Sequence, residues 1–104
     1  MYEKTCPVVE TLKMISGKWK VLILYNLQNG PLHFNELQRT MPQISQRMLT
    51  MQLRGLEADG IIRRKVYPTK PPGVEYSLTD FGQTLCPVIS AMDVWWREHG
   101  SLGK

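Results

Sequence analysis

Cysteine is scarce in this chain, with only Cys6 and Cys86 among 104 residues. Two cysteines so far apart cannot supply a disulfide framework or a zinc site built on cysteine pairs. The chain also lacks the run of about 18 apolar residues that a membrane-spanning helix needs. Residues 1–6 have no apolar core of the kind found in secretion signals. These absences favour a cytoplasmic protein with no membrane partner and no bound metal.

Sequence signs of catalysis are lacking as well. The chain has no glycine-rich phosphate loop and no cluster of carboxylates, and neither cysteine has a histidine close to it in sequence. His33 has no cysteine, aspartate or histidine at the spacing of metal ligands. We therefore expect neither an enzyme nor a cofactor.

The charge balance is basic, with 13 lysines and arginines against nine acidic residues and a net charge of +4. Such a balance favours a polyanionic partner. An apolar fraction of 42% is ample for a packed core. The length fits one domain over residues 1–104.

A helix is predicted over about 45–59, and the rest of the chain is organised around it. Pro42 ends the preceding segment, Ser45 suits the N-cap, and Gly60 suits the left-handed position that often ends a helix. Its inward stripe consists of Leu49, Leu53 and Leu56. Another face carries side-chain types that contact bases and phosphates in a major groove. The candidate DNA contacts there are Ser45, Gln46, Arg47, Thr50 and Arg54. An ordinary solvated polar face is the alternative.

Helical spacing also predicts what precedes this helix. A helix over about 18–28 has Trp19 as a core anchor, and Leu32-His33-Phe34 form a short strand. A short helix over 34–40 and a turn over 41–44 then lead into the helix at 45–59. Two helices joined by such a turn predict a helix-turn-helix.

A basic hairpin is predicted directly after the helix at 45–59. Residues 61–67 and 74–78 are β-prone, and a proline-rich turn separates them. Two helices followed by a hairpin is the order of a winged helix, with the wing over about 61–78. Its candidate phosphate contacts are Arg63, Arg64, Lys65 and Lys70. A solvated edge strand protected by charge is the alternative.

The two ends of the chain are predicted to be helices with apolar faces, over about 7–15 and 79–99. Pro87 should kink or interrupt the second one near its start. A winged core has little surface left to cover both faces, so we predict that they pack against a second copy of the chain. The candidate interface residues are Val8, Leu12, Met92, Trp95 and Trp96. A pocket between the two helices for a cofactor or effector is the alternative.

Cys6 is placed at the start of the first helix, directly before Pro7. Unpaired N–H groups and the helix dipole there should lower the pKa of the thiol below the ordinary value of about 8.5. A redox-sensing role for Cys6 is one hypothesis, and a plain capping role is the other. Cys86, next to Pro87 on an apolar helix, is predicted to be a buried packing residue.

The motifs, taken together and in order, resemble those of the HxlR-type transcriptional regulators, a branch of the MarR-like winged-helix proteins. The resemblance covers about residues 6–99. It rests on Cys6-Pro7, Gly17-Lys18-Trp19, Phe34-Asn35-Glu36-Leu37, Ile44-Ser45-Gln46-Arg47-Met48-Leu49, Leu53, Leu56-Glu57, Gly60-Ile61-Ile62-Arg63-Arg64, Pro71-Pro72-Gly73-Val74-Glu75-Tyr76-Ser77-Leu78-Thr79, Gly82, Leu85 and Trp95-Trp96.

The resemblance implies a mainly α fold with a small β-hairpin, in which terminal helices dimerise and a winged helix-turn-helix binds double-stranded DNA. It further implies a homodimer that represses or activates nearby genes from a pseudo-palindromic operator. Some members of the family resemble thiol switches that use the cysteine aligned with Cys6, and a small-molecule effector is conceivable. A winged-helix module that binds protein instead of DNA is the alternative function.

Overall fold

The computed structural model describes residues 6–70 and 72–103. Pro71, in the predicted wing turn, and residues 1–5 lie outside the described residues. In chain order the elements are α1 (Pro7–Ile15), α2 (Lys18–Leu27), β1 (Leu32–His33), α3 (Phe34–Thr40), α4 (Gln46–Ala58), β2 (Ile62–Tyr67), β3 (Gly73–Leu78), α5 (Asp80–Gln83), α6 (Cys86–His99) and a 3₁₀ turn (Gly100–Gly103). The predicted fold class, mainly α with a small β-hairpin in a winged helix-turn-helix, is confirmed. None of the described helices is long and apolar enough to cross a membrane.

The core is built where α2, α3, α4 and the sheet meet. The leucine stripe of α4 faces inward as its spacing predicts. The side chains with almost no exposure are Ile23, Leu24, Leu27, Leu37, Leu49, Leu53, Leu56, Ile61 and Ile62. Trp19, the predicted core anchor, is half-buried and packs against this cluster. The core therefore holds α4 rigidly and leaves its other face outward.

The sheet has three antiparallel strands in the order β1–β3–β2. The predicted hairpin forms, with Ile62 opposite Leu78 and Tyr67 opposite Gly73. The two-residue strand β1 also joins the sheet, with Leu32 opposite Tyr76. This pairing fastens the chain just before α3 to the base of the wing.

The helix ends follow the predicted capping chemistry, with one correction. Ser45 Oγ accepts a hydrogen bond from the Met48 N–H at 3.0 Å, and Gly60 has a φ of 76°. The single helix predicted over 79–99 is two helices, α5 and α6, with a break just before Pro87. Proline is accommodated in the first turn of α6, where its missing N–H would have no partner in the helix.

Candidate nucleic-acid interface

The turn between α3 and α4 is held by hydrogen bonds and by one buried side chain. The Ile44 N–H donates to the Met41 carbonyl at 3.1 Å, and Gln38 Nε2 donates to the Ile44 carbonyl at 3.1 Å. Ile44 itself is buried. These contacts fix the angle at which α4 leaves the turn, and so fix the direction of its exposed side chains.

One face of α4 points away from the core. Its members, which we call the outer face of α4, are Gln46, Arg47, Thr50, Met51 and Arg54, and together they line one shallow depression of about 560 Å³. Helical geometry explains the grouping, because residues three and four apart lie on the same side of a helix. The four residues of α4 that were predicted to contact DNA thus lie on one face, and Met51 lies on the same face.

Two hydroxyl groups on or beside this face have part of their hydrogen bonding already fixed. Thr50 Oγ1 donates its proton to the Gln46 carbonyl at 2.9 Å, so towards a ligand it can act only as an acceptor. Ser45 Oγ accepts from the Met48 N–H, so its own proton remains available for an anion. The arginines therefore remain the main donors of the outer face.

The three consecutive cations of β2 do not face the same way. Arg64 is paired with Tyr76, on the side of the sheet that faces α4, whereas Arg63 and Lys65 are paired with Ser77 and Glu75 on the opposite side. Alternation along a strand requires this separation. The strand register thus divides the three cations between two sides of the hairpin, and only Arg64 lines a cleft with residues of α4. Phosphate contacts by Arg63, Arg64 and Lys65 stay predictions.

Lys65 is engaged on the far side of the sheet. Its ammonium group lies 4.9 Å from the centre of the Tyr67 ring, and Tyr67 Oη donates to Glu75 Oε1 at 3.0 Å. Glu75 stands directly opposite Lys65 in the strand register. Lys65 thus has a carboxylate directly opposite it in the sheet, whereas Arg64 stands opposite Tyr76.

A cleft of about 440 Å³ separates α4 from the wing. Gln46, Thr50 and Arg54 line it from the helix, and Arg64 lines it from β2. The sequence predictions missed its other lining residues, Phe34, Glu57, Val74 and Tyr76. Lys70, the remaining predicted contact, is exposed in the turn between the two wing strands. The cleft thus combines amide, hydroxyl and guanidinium groups with one carboxylate, that of Glu57, and with the aromatic rings of Phe34 and Tyr76.

The base of the wing is fixed to the end of α4 by backbone hydrogen bonds. The Ile61 N–H donates to the Leu56 carbonyl at 3.0 Å, and the Thr79 N–H donates to the Ile61 carbonyl at 3.0 Å. Thr79 Oγ1 adds a bond to the Gly60 carbonyl at 2.6 Å and caps α5 by accepting from the Gly82 N–H. Helix and wing are therefore positioned as one unit.

The model of the HxlR-like helix-turn-helix family matches residues 14–103. The chain belongs to this family. Membership confirms the class expected from the motifs, a helix-turn-helix transcriptional regulator. The family is one of regulators and not of enzymes. Among the described residues, no group of three or more histidine, cysteine, aspartate or glutamate side chains could hold a metal ion.

Related sequences and solved structures agree with this assignment. YdeP from Bacillus subtilis strain 168, described as an uncharacterized HTH-type transcriptional regulator, is 55% identical over 94 residues, which are 90% of this chain and 73% of YdeP. The redox regulator HypR in its reduced form has a TM-score of 0.90 at 50% identity, over 93% of this chain and 96% of HypR. The oxidized form of HypR has a TM-score of 0.84 at 54% identity, over 89% of this chain and 96% of HypR.

The terminal helices of this HxlR-like chain carry a second kind of surface. Ile15 is the only buried residue of α1, and Ile89 is the only one of α6. Trp95 and Trp96 are 58% and 59% exposed. The other exposed apolar residues of the two helices are Val8, Val9, Leu12, Val88, Met92 and Val94. All five predicted interface residues thus lie on the surface of the single chain.

An apolar groove of about 510 Å³ runs between α2 and α6 beside this surface. Its lining residues are Val21, Leu22, Tyr25, Ile89, Met92, Asp93 and Trp96. Arg97 Nε donates to Asp93 Oδ2 at 2.9 Å, so an ion pair stands at one edge of an otherwise apolar patch. Cys6, the N-cap residue of α1, is half-buried. Cys86 packs against the core as predicted, but it is half-buried rather than buried.

Proposed function

We propose that this protein binds specific DNA sequences through the outer face of α4 and the α4–wing cleft. The observation that carries the proposal is that Gln46, Arg47, Thr50 and Arg54 emerge on one exposed face in a chain of a helix-turn-helix regulator family. Arginine and glutamine side chains can form paired hydrogen bonds with base edges in the major groove.

The wing has a distinct part in this proposal. Arg64 shares the cleft with α4, so it would contact a phosphate next to the bases that α4 reads. Lys70, at the turn of the hairpin, would contact a more distant phosphate. Arg63 and Lys65 face the other side of the sheet and would contribute less.

The experiment is a selection of bound duplexes from random DNA, followed by affinity measurements at several salt concentrations. We expect a recurring, inverted-repeat site and an affinity that falls steeply with salt. A chain that enriches no sequence and binds DNA weakly at low salt would favour the alternative, a winged-helix module that binds protein.

We further propose that two copies assemble through α1 and α6. Aromatic side chains bury about 150–250 Å² each when they enter an interface, so two exposed adjacent tryptophans represent a large stabilisation on association. The apolar groove beside them extends the patch, and the Asp93–Arg97 pair would lie at its polar rim. A two-fold axis would set the two α4 helices roughly 34–36 Å apart, or a multiple of that, along the duplex.

Sedimentation equilibrium at micromolar concentration tests the assembly. We expect a dimer, and a matching pair of half-sites in the selected DNA. A stable monomer would contradict the proposal and would leave the groove between α2 and α6 as a candidate site for a small-molecule effector. A role as repressor or activator of nearby genes, and the cytoplasmic location, stay predictions.

A thiol response is the third part of the proposal. HypR is a redox regulator whose reduced and oxidized forms both resemble this chain. Cys6 stands at the N-cap of α1, next to the exposed Val8 and Val9 of the proposed dimer surface. A change at this sulfur could alter the angle between the two subunits and so the spacing of the α4 helices.

The test compares wild type with Cys6→Ser and Cys86→Ser before and after treatment with diamide. We expect diamide to change the DNA affinity of wild type and of Cys86→Ser but not of Cys6→Ser. Equal responses in all three proteins would assign Cys6 only a structural role.

A further inference from the structure

We infer that Met51 reads DNA directly, by packing against the C5-methyl group of a thymine in the major groove. The inference rests on the proposed function, because it assumes that the outer face of α4 enters that groove. Met51 is not among the polar residues that the sequence pattern selects for base contact.

Met51 lies in the middle of the outer face. It is four residues after Arg47 and three before Arg54, so the three side chains follow one another along one side of the helix. The depression that holds the polar contacts, Gln46, Arg47, Thr50 and Arg54, is lined by Met51 as well. A duplex that reached the flanking arginines would therefore also cover Met51.

The side chain is not needed by the core. Met51 is 54% exposed, whereas its neighbour Met48 is half-buried, packs against the core and accepts a hydrogen bond from Gln52 on Sδ at 3.2 Å. The inward side of α4 is already filled by Leu49, Leu53 and Leu56. Packing within the domain thus leaves no role for the Met51 thioether.

The chemistry of the face selects the ligand. Met51 is the one apolar side chain on the outer face of α4, where the other members donate or accept hydrogen bonds. Among the four bases only thymine presents a methyl group in the major groove, and apolar side chains contact it. The unbranched, flexible methionine side chain adapts to such a small apolar target. A contact with deoxyribose carbons would be apolar too, but it would not depend on the base.

The experiment replaces each thymine of the selected site, one at a time, by deoxyuridine, which removes only the methyl group. For wild type we expect one or two thymines in each half-site where affinity falls about fourfold, the value for burying one methyl group. At those positions the loss should disappear in Met51→Ala and persist in Met51→Leu, which keeps an apolar side chain. Thermal unfolding of both variants should match wild type, because the residue is exposed and alanine favours helix.

The inference would be overturned if deoxyuridine lowered the DNA affinity of wild type and of Met51→Ala equally, or lowered neither. Specific DNA binding would still stand in that case. A penalty that persists in Met51→Ala at every thymine would assign the methyl contacts to Thr50 or to another residue. If wild type shows no preference for any sequence, the proposed function itself fails. The two failures are therefore distinguishable.

Discussion

The helices α4 and α6 are similar in length, 13 and 14 residues, and both have an apolar stripe. The two helices differ in how much of that stripe is buried within the domain. Helix α4 buries three leucines in its own domain and turns amide, hydroxyl and guanidinium groups outward. Helix α6 buries only Ile89 and leaves two tryptophans, Val94 and Met92 at the surface.

The difference indicates what each outward face is suited to contact. A polar, cationic face gains most from a hydrated polyanion whose phosphates release counterions on binding. A face with two exposed tryptophans gains most from another apolar protein surface. One domain thus presents two interfaces of different chemistry, and a change on the outer face of α4 should leave self-association through α6 unaffected.

The largest effect is expected on the buried side of α4. Leu53→Ala should lower the free energy of unfolding by about 2–5 kcal/mol, because it leaves a cavity among fully buried side chains. Urea denaturation measures the loss. The matched control is Gln43→Ala, at an exposed position in the turn before α4, which should change stability by less than about 0.5 kcal/mol. Equal effects would show that the stripe of α4 is not the core of the domain.

The next effect concerns the apolar face of α6. Trp95→Ala should weaken self-association by about 30-fold or more, the size expected for an interface residue worth 2 kcal/mol. Phe81→Ala is the control, because Phe81 is similarly exposed but lies on α5, outside the proposed interface. Sedimentation equilibrium compares the two. Unchanged assembly in Trp95→Ala would place the subunit contact elsewhere.

A smaller effect should separate the two sides of the wing. Arg64→Ala should weaken binding to every DNA sequence and reduce the salt dependence by about one counterion. Arg63→Ala removes the same charge from the neighbouring position on the opposite side of the sheet, so its effect should be clearly smaller. Binding titrations across a salt series measure both. Identical slopes for the two variants would mean that the duplex does not approach the wing from the side of α4.

Local chemistry made much of this structure predictable from the sequence. The cap at Ser45, the left-handed Gly60 and the hairpin all depend on nearby residues, and all are present. The pairing of β1 with β3 joins residues far apart in the chain and has only two residue pairs, so it left no local signal. The break before α6 was only partly predicted, since Pro87 indicates an interruption but not its length.

The candidate site was predicted less completely than the fold. Gln46, Arg47, Thr50 and Arg54 were predicted because their side chains are polar. Met51 was missed, although its spacing from Arg47 and Arg54 indicates the same face. Strand alternation would have separated Arg64 from Arg63 and Lys65. The remaining cleft residues, such as Glu57 and Tyr76, depend on how the wing packs against α4. That packing is a tertiary feature which no local pattern specifies.

The most direct test of DNA reading by α4 is a ratio of two DNA affinities, that for the selected site divided by that for a scrambled duplex of equal length. The ratio is measured for wild type, Arg47→Lys and Arg47→Ala. Arg47 is exposed on the outer face, in the first turn of α4. Loss of a paired base contact costs about 1–3 kcal/mol of discrimination, so both variants should lose roughly 5- to 150-fold in the ratio. Arg47→Lys should keep its affinity for scrambled DNA, because the charge remains. An unchanged ratio in both variants, with the fold intact, would contradict the account.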